Sequence, residues 1–104
     1  MRLRENRPRM EVLRPKPLDT HPGGEIVPWA RSQIEIARSI LDNPGGGLLF
    51  ATQTIGQVRA ALAERDDARW TKVIEALGRA EEDAVHREFA TARKLLDEAG
   101  AGLS

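Results

Sequence analysis

Histidine is the only side chain in this sequence whose unperturbed pKa lies near neutral, which makes it the first place to look for chemistry. The chain has two: His21, in a stretch rich in proline and glycine, and His86, just after the acidic run Glu81-Glu82-Asp83. On a helix, His86 would lie three and four residues beyond two of these carboxylates, a spacing that can share a metal ion. No third ligand stands at a suitable spacing, and acidic runs on helices are usually solvated. We therefore expect no metal or cofactor site.

Other groups that support catalysis or phosphate binding are also missing. The chain has no cysteine, and its serines lack the glycine-flanked turn of a nucleophile elbow. The run Gly45-Gly46-Gly47 precedes an apolar segment, and backbone N–H groups at such a helix start could bind phosphate. This loop lacks the Lys-Ser/Thr pair of a P-loop, and we interpret it as a hinge between helices. The sequence thus predicts a protein that is not an enzyme and has no evident small-molecule substrate.

Basic side chains are concentrated at the N-terminus. Residues 1–17 hold six basic and two acidic residues, a net charge of 6 − 2 = +4 in a chain whose total charge is zero. Five of the six prolines fall in residues 1–28, and each biases the local backbone toward extended geometry. We expect an extended basic arm over residues 1–28, followed by a helical domain over residues 29–104. The residues of the arm that could contact nucleic acid or an acidic partner are Arg2, Arg4, Arg7, Arg9, Arg14 and Lys16.

Three features bear on the compartment. A secreted domain of 104 residues would usually contain disulfides, and this chain has no cysteine. Its longest purely apolar run, residues 48–51, is far shorter than the ~20 residues of a membrane span. The N-terminus also lacks the apolar region of a secretory signal. We expect a cytoplasmic protein without membrane contact.

Apolar residues recur at helical spacing through the rest of the chain and predict an all-α fold, a hairpin or small bundle of about three helices. The first helix covers residues 28–42, where the proline at its start suits a first helical turn. The second begins at residue 48 or, if Thr54 and Gln57 form a capping box, at residue 52, and ends at residue 65. The third, a single long C-terminal helix, covers residues 67–98.

Gly78, in the middle of the third helix, is the position where a break has to be considered. No Ser, Thr, Asp or Asn follows at the position where a new helix would need its cap. The i,i+4 pairs Glu75–Arg79 and Asp83–Arg87 flank the glycine and support a helix through it. A continuous helix is therefore favoured, at a cost of about 1 kcal/mol for the glycine.

The length of the third helix predicts an interface. At 1.5 Å per residue it would span about 48 Å, roughly twice the length of either earlier helix, so its second half would lie uncovered. Apolar residues in that half are spaced by four, three and four, a pattern typical of a helix–helix seam: Val85, Phe89, Ala92 and Leu96. We expect a protein partner or a second copy of the chain to cover this seam. The alternative cover is the arm itself, through Met10, Val12, Leu13 and Leu18.

Two functions fit these features. The favoured one is a non-enzymatic, structural subunit or interaction protein of a larger assembly, which binds its partner through the far half of the long helix and the arm. The alternative is a small nucleic-acid-binding protein, a regulator or antitoxin-like factor. It would use the arm, or a weak helix-turn-helix over residues 55–77 with Arg69 and Lys72 near the start of its second helix. Glu5 and Glu11 dilute the charge of the arm, and no aromatic residue is interleaved to stack on bases.

Overall fold

The computed structural model describes residues 25–103, and in this range it is all-α, as predicted, without a strand. It has four helices rather than about three: α1 (Ile26–Asp42), α2 (Leu48–Asp66), α3 (Thr71–Val85) and α4 (Phe89–Gly102). Residues 1–24 and 104, and with them most of the predicted arm, lie outside the described residues.

Each helix packs antiparallel against its neighbours in the order α1, α2, α3, α4, and α4 returns to pack against α1. The bundle therefore closes on itself in an up-down-up-down arrangement with short connections. Its core is built from aliphatic and alanine side chains plus Trp70, which is almost fully buried. Alanines at helix contacts let backbones approach closely, which suits a chain with few aromatic residues. The largest fully buried side chains are Ile26, Leu41, Ile55, Leu62, Leu77, Leu96 and Val58.

The first two helices follow the predicted pattern with small shifts at their ends. α1 begins at Ile26, two residues before Pro28, so the proline lies in the first turn, where it costs no hydrogen bond. α2 begins at Leu48, the earlier of the two predicted starts. The capping box is wrong because Thr54 lies inside the helix, where its hydroxyl donates to the carbonyl oxygen of Phe50 at 2.8 Å.

The prediction of one long C-terminal helix over residues 67–98 is wrong. The chain stays helical through Gly78, as predicted, since α3 spans it without interruption. The break comes later, over residues 86–88, where Arg87 adopts a left-handed conformation with φ of 64°. Its N–H donates to the carbonyl of Ala84 at 3.0 Å, and the next N–H, of Glu88, donates to that of Asp83 at 2.8 Å. These two hydrogen bonds form a Schellman motif, which ends a helix and reverses the chain.

The start of α3 is also later than predicted. α3 begins at Thr71 rather than near Asp67, with Trp70 as the residue before it. Asp66 still supports this turn, because its carboxylate accepts the backbone N–H of Arg69 at 3.2 Å.

The reversal at residues 86–88 removes the length mismatch from which an uncovered helix was inferred. α3 and α4 have 15 and 14 residues, so each spans about 21–23 Å, somewhat shorter than α1 and α2 with 17 and 19 residues. α4 folds back along α3, and a side chain at Gly102 would lie 2.8 Å from Val73. The apolar face of α4 therefore enters the chain's own core through Ala92, Leu95, Leu96 and Ala99.

Substitution at Arg87 tests this reversal. A left-handed residue favours glycine over alanine, whereas a helix interior favours alanine over glycine by about 1 kcal/mol. We expect Arg87→Gly to be more stable than Arg87→Ala by roughly 0.5–1 kcal/mol, measured as the free energy of unfolding in urea. If Arg87→Ala were the more stable of the two, residue 87 would be in a continuous helix.

Candidate interaction surface at the loop end

The four residues predicted to form a partner seam do not share one exposed surface. Ala92 and Leu96 are fully buried in the core of the bundle. Phe89, the first residue of α4, is half-buried and packs against the same core. Only Val85 is largely exposed, at 59%. The side chains that sequence spacing assigned to a partner are thus mostly used within the chain, because α4 turns back at Arg87.

A different set of apolar residues is exposed. The large hydrophobic side chains left in solvent among the described residues are Ile36 (42%), Leu49 (67%), Phe50 (58%) and Val85 (59%). Three of them lie within one turn of the α1–α2 or α3–α4 connection, and Ile36 lies two turns before the end of α1. We call these four residues the loop-end band.

Contacts between α1 and α2 place Ile36 at the level of Phe50 along the bundle. A side chain built at Gly47 would lie 2.9 Å from Cγ2 of Ile40, so these two positions face each other across the turn. Antiparallel helices advance in opposite directions from such a contact, so one turn earlier in α1 is level with one turn later in α2. Ile36 is therefore level with residues 50–51 at the start of α2.

Contacts between α2 and α3 place Val85 near the level of the first turns of α2, which include Leu49. The guanidinium of Arg59 forms an ion pair with Glu81 at 2.9 Å, and Glu81 also lies 3.4 Å from a side chain built at Gly56. One further turn toward the loops brings Val85 level with the first turns of α2, where Leu49 lies. The four residues of the loop-end band therefore lie near the same end of the bundle, on α1, α2 and α3.

Sequence reasoning missed three of these four residues, although a signal was present. Leu48, Leu49 and Phe50 are consecutive, and residues 100° apart around a helix cannot all face the same core. Leu48 packs against the core, whereas Leu49 and Phe50 do not. An apolar triplet at a helix start thus indicates at least one exposed hydrophobic side chain.

The opposite side of α1 is polar and holds α4. Arg38 forms an ion pair with Asp97 at 2.7 Å, and Arg93 forms one with Asp42 at 3.2 Å. The Arg93 guanidinium also donates to the carbonyl of Leu41 at 3.3 Å. The hydrogen bond to Asp97 raises the pKa of Arg38 above its ordinary value. These ion pairs join α1 to α4. The exposed apolar residues of α1 therefore lie on its other side, toward α2.

The glycine-rich connection between α1 and α2 forms a tight turn. Gly45 is left-handed, with φ of 49°, and the N–H of Gly47 donates to the carbonyl of Pro44 at 2.6 Å. That N–H is used inside the turn, so it does not point outward to a phosphate. The close approach of Gly47 to Ile40 further shows that the connection is packed against α1.

The histidine considered for chemistry at the sequence level is on the surface. His86 is exposed, and its Nδ1 lies 3.1 Å from the carbonyl oxygen of Glu82, one turn earlier. Over residues 25–103, no three His, Asp or Glu side chains are grouped to hold a metal ion. His21 lies outside the described residues.

The segment considered as a helix-turn-helix has acidic groups at its turn. α2 and α3 are joined by residues 67–70, and the Asp66 carboxylate is bound to the N–H of Arg69. The Arg69 guanidinium lies over the ring of Trp70, 4.6 Å from its centroid. A carboxylate at this helix start repels phosphate, which is the group a DNA-binding helix has to meet. The predicted basic contacts Arg2, Arg4, Arg7, Arg9, Arg14 and Lys16 lie outside the described residues.

Comparison with known proteins found no matching family model, no matching curated protein and no matching solved structure. Within residues 25–103, no helix combines the length and the hydropathy that crossing a membrane requires. The loop-end band is the main exposed apolar feature of the described residues.

Two substitutions distinguish the core from the loop-end band. Leu96→Ala removes a fully buried side chain and should lower the free energy of unfolding by about 2–5 kcal/mol. Phe50→Ser changes an exposed residue and should shift it by no more than about 0.5 kcal/mol. Urea denaturation of both variants measures these differences. A small loss for Leu96→Ala together with a large loss for Phe50→Ser would contradict the assignment.

Proposed function

We propose that this protein is a non-enzymatic helical interaction protein, a subunit of a larger assembly, that binds a protein partner through the loop-end band. The observation that supports the proposal most is the exposure of Leu49 and Phe50, adjacent residues in the first turn of α2. Ile36 on α1 and Val85 on α3 are exposed near the same end of the bundle. Exposed apolar side chains are common singly, but four large ones near one end of a small bundle are typical of an interaction site.

The chemistry of the band indicates what kind of surface would bind it. Phe50 is the largest of the four side chains, and aromatic residues often dominate binding energy when a partner excludes water around them. Burying one such side chain fully contributes about 2–3 kcal/mol. The neighbouring loop offers both signs of charge, Arg87 and Glu88, so it favours neither an acidic nor a basic partner. The partner expected is one with an apolar pocket or an apolar helix face.

The bundle also suits the role of a rigid support. Leu49, Phe50 and Val85 project from helices whose other faces are locked in the core, so their positions are fixed before binding. A preorganised surface loses less conformational entropy on association, which increases affinity for a given contact area.

Nucleic-acid binding remains the alternative proposal, and it would depend on the arm. Six basic residues in the first 17 could follow a phosphate backbone, whereas the α2–α3 turn presents Asp66 and Asp67 to any phosphate. Binding of that kind would weaken steeply with salt, while binding through the loop-end band would not. The two proposals are therefore separable by one titration at two salt concentrations.

Replacement of Phe50 tests the proposed function. Phe50→Asp puts a charge into the band, and an acid in the first turn of a helix is compatible with folding. A matched control is Ala60→Asp, which changes an exposed residue of the same helix away from the band. In co-purification from the native cell, the wild type and Ala60→Asp should retain the same partner, and Phe50→Asp should lose it.

Two results would contradict the proposal. One is a partner retained equally by Phe50→Asp and Ala60→Asp. The other is tight binding of an oligonucleotide, lost at high salt and unaffected by Phe50→Asp, with no protein partner recovered. The second result would support the nucleic-acid alternative.

A further inference from the structure

An apolar strip continues from the loop-end band along α1 toward the start of that helix. Trp29, Gln33, Ile36 and Ile40 follow one another at spacings of four, three and four, so they lie on one side of α1. This side faces α2, as the contact between Ile40 and Gly47 shows. Its residues are half-buried or exposed, unlike the fully buried stripe beside them.

The facing side of α2 has a similar composition. Phe50, Gln53 and Gln57 are spaced by three and four residues, and all three are exposed. Together with Trp29, Gln33 and Ile36, they line the outer groove between α1 and α2, which we call the α1–α2 groove. Its lining contains apolar and amide side chains and no charged group. Glutamine amides both donate and accept hydrogen bonds, as required to pair with the backbone of an extended segment.

We propose that residues 10–18 of the same chain occupy the α1–α2 groove and cover Ile36 and Phe50. The chain enters α1 at Ile26, at the end of the groove where Trp29 lies. The sequence just before it, His21-Pro22-Gly23-Gly24, predicts a turn, which is what a segment needs in order to run back along α1.

Distances along the chain fit this path. Residues 15–17, Pro-Lys-Pro, favour polyproline II geometry, which advances about 3.1 Å per residue. With residues 21–24 in the turn, the extended run back along α1 begins at Thr20, so Leu18 lies about 6 Å and Leu13 about 22 Å from the turn. Ile36 lies ten residues into α1, about 15 Å from its start. The stretch between Leu18 and Leu13 therefore passes Ile36 and Phe50, and Leu13 reaches the level of the loop end.

The covalent tether favours this segment over a second copy of the chain. A tethered segment is present at the groove at an effective concentration in the millimolar range, which a second copy has to reach in solution. An extended segment needs only a narrow strip, and prolines lower the entropy it loses on binding. Residues 1–17 have a net charge of +4. The lining of the groove contains no basic side chain that would repel them.

A segment bound in the α1–α2 groove would compete with the protein partner of the proposed function. The segment covers two residues of the loop-end band, so a partner would have to displace it. Because the segment is tethered, its effective concentration at the groove is in the millimolar range, and a partner has to overcome that competition.

Disulfide trapping tests the inference without any partner. The chain has no cysteine, so an introduced pair is the only one that can form. Lys16→Cys leaves Leu13 and Leu18 intact, and Gln53→Cys lies at the groove. The control pair joins Lys16→Cys to Glu82→Cys, an exposed position level with the same part of α2 but on α3. Under mild oxidation of the full chain, the groove pair should close within the monomer at least about 10-fold faster than the control pair.

Two outcomes would overturn the inference. Equal rates for both pairs would mean that the segment has no preference for the groove. Disulfide-linked dimers as the main product would identify a second copy as the occupant.

In a background of Leu13→Asp and Leu18→Asp, the rate advantage of the groove pair should disappear. If the groove pair closes rapidly but no Phe50-dependent partner is recovered from the cell, only the proposed function is contradicted. If both pairs close at equal rates and a Phe50-dependent partner is recovered, only this inference is contradicted.

Discussion

The left-handed conformation of Arg87 is the constraint on which the rest of the bundle depends. It lets two backbone hydrogen bonds end α3 and turns the chain so that α4 runs back beside it. A left-handed backbone costs an L-residue other than glycine roughly 1–2 kcal/mol. Burial of Leu95, Leu96, Ala92 and Ala99 offsets this cost, since each fully buried leucine contributes about 1.5–3 kcal/mol.

Closure of the bundle explains where polar and apolar surfaces remain. Once α4 lies between α3 and α1, the ion pairs of Arg38 and Arg93 occupy the α1–α4 side. The other side of α1 faces α2, where half-buried Trp29 and Ile40 continue into exposed Ile36 and Phe50. The exposed apolar surface thus consists of the apolar residues that the four helices do not bury in their shared core.

Much of the fold is readable from residue spacing, and the main error has a specific cause. The buried stripes of α1 and α2 follow directly from apolar periodicity. Continuity through Gly78 was predicted correctly, although within the described residues neither Glu75–Arg79 nor Asp83–Arg87 forms an ion pair and Arg87 lies beyond the end of α3. The break at Arg87 could not be read because its left-handed residue is neither glycine nor asparagine, the usual signals. The same error explains the predicted seam, because Ala92 and Leu96 have seam-like spacing and face the chain's own core. The apolar triplet at residues 48–50 indicates an exposed side chain, but which of its members is exposed depends on how the four helices meet.

One distance measurement tests the hairpin most directly. Spin labels at Lys72→Cys and Ala101→Cys, both exposed positions, report on the separation of the two ends of the α3–α4 pair. In the hairpin, these positions lie side by side on adjacent helices, whose axes are about 8–10 Å apart. Pulsed electron paramagnetic resonance should therefore give a short distance, increased only by the label linkers. A separation of about 44 Å, the value for one continuous helix between these residues, would contradict the fold and the surface derived from it.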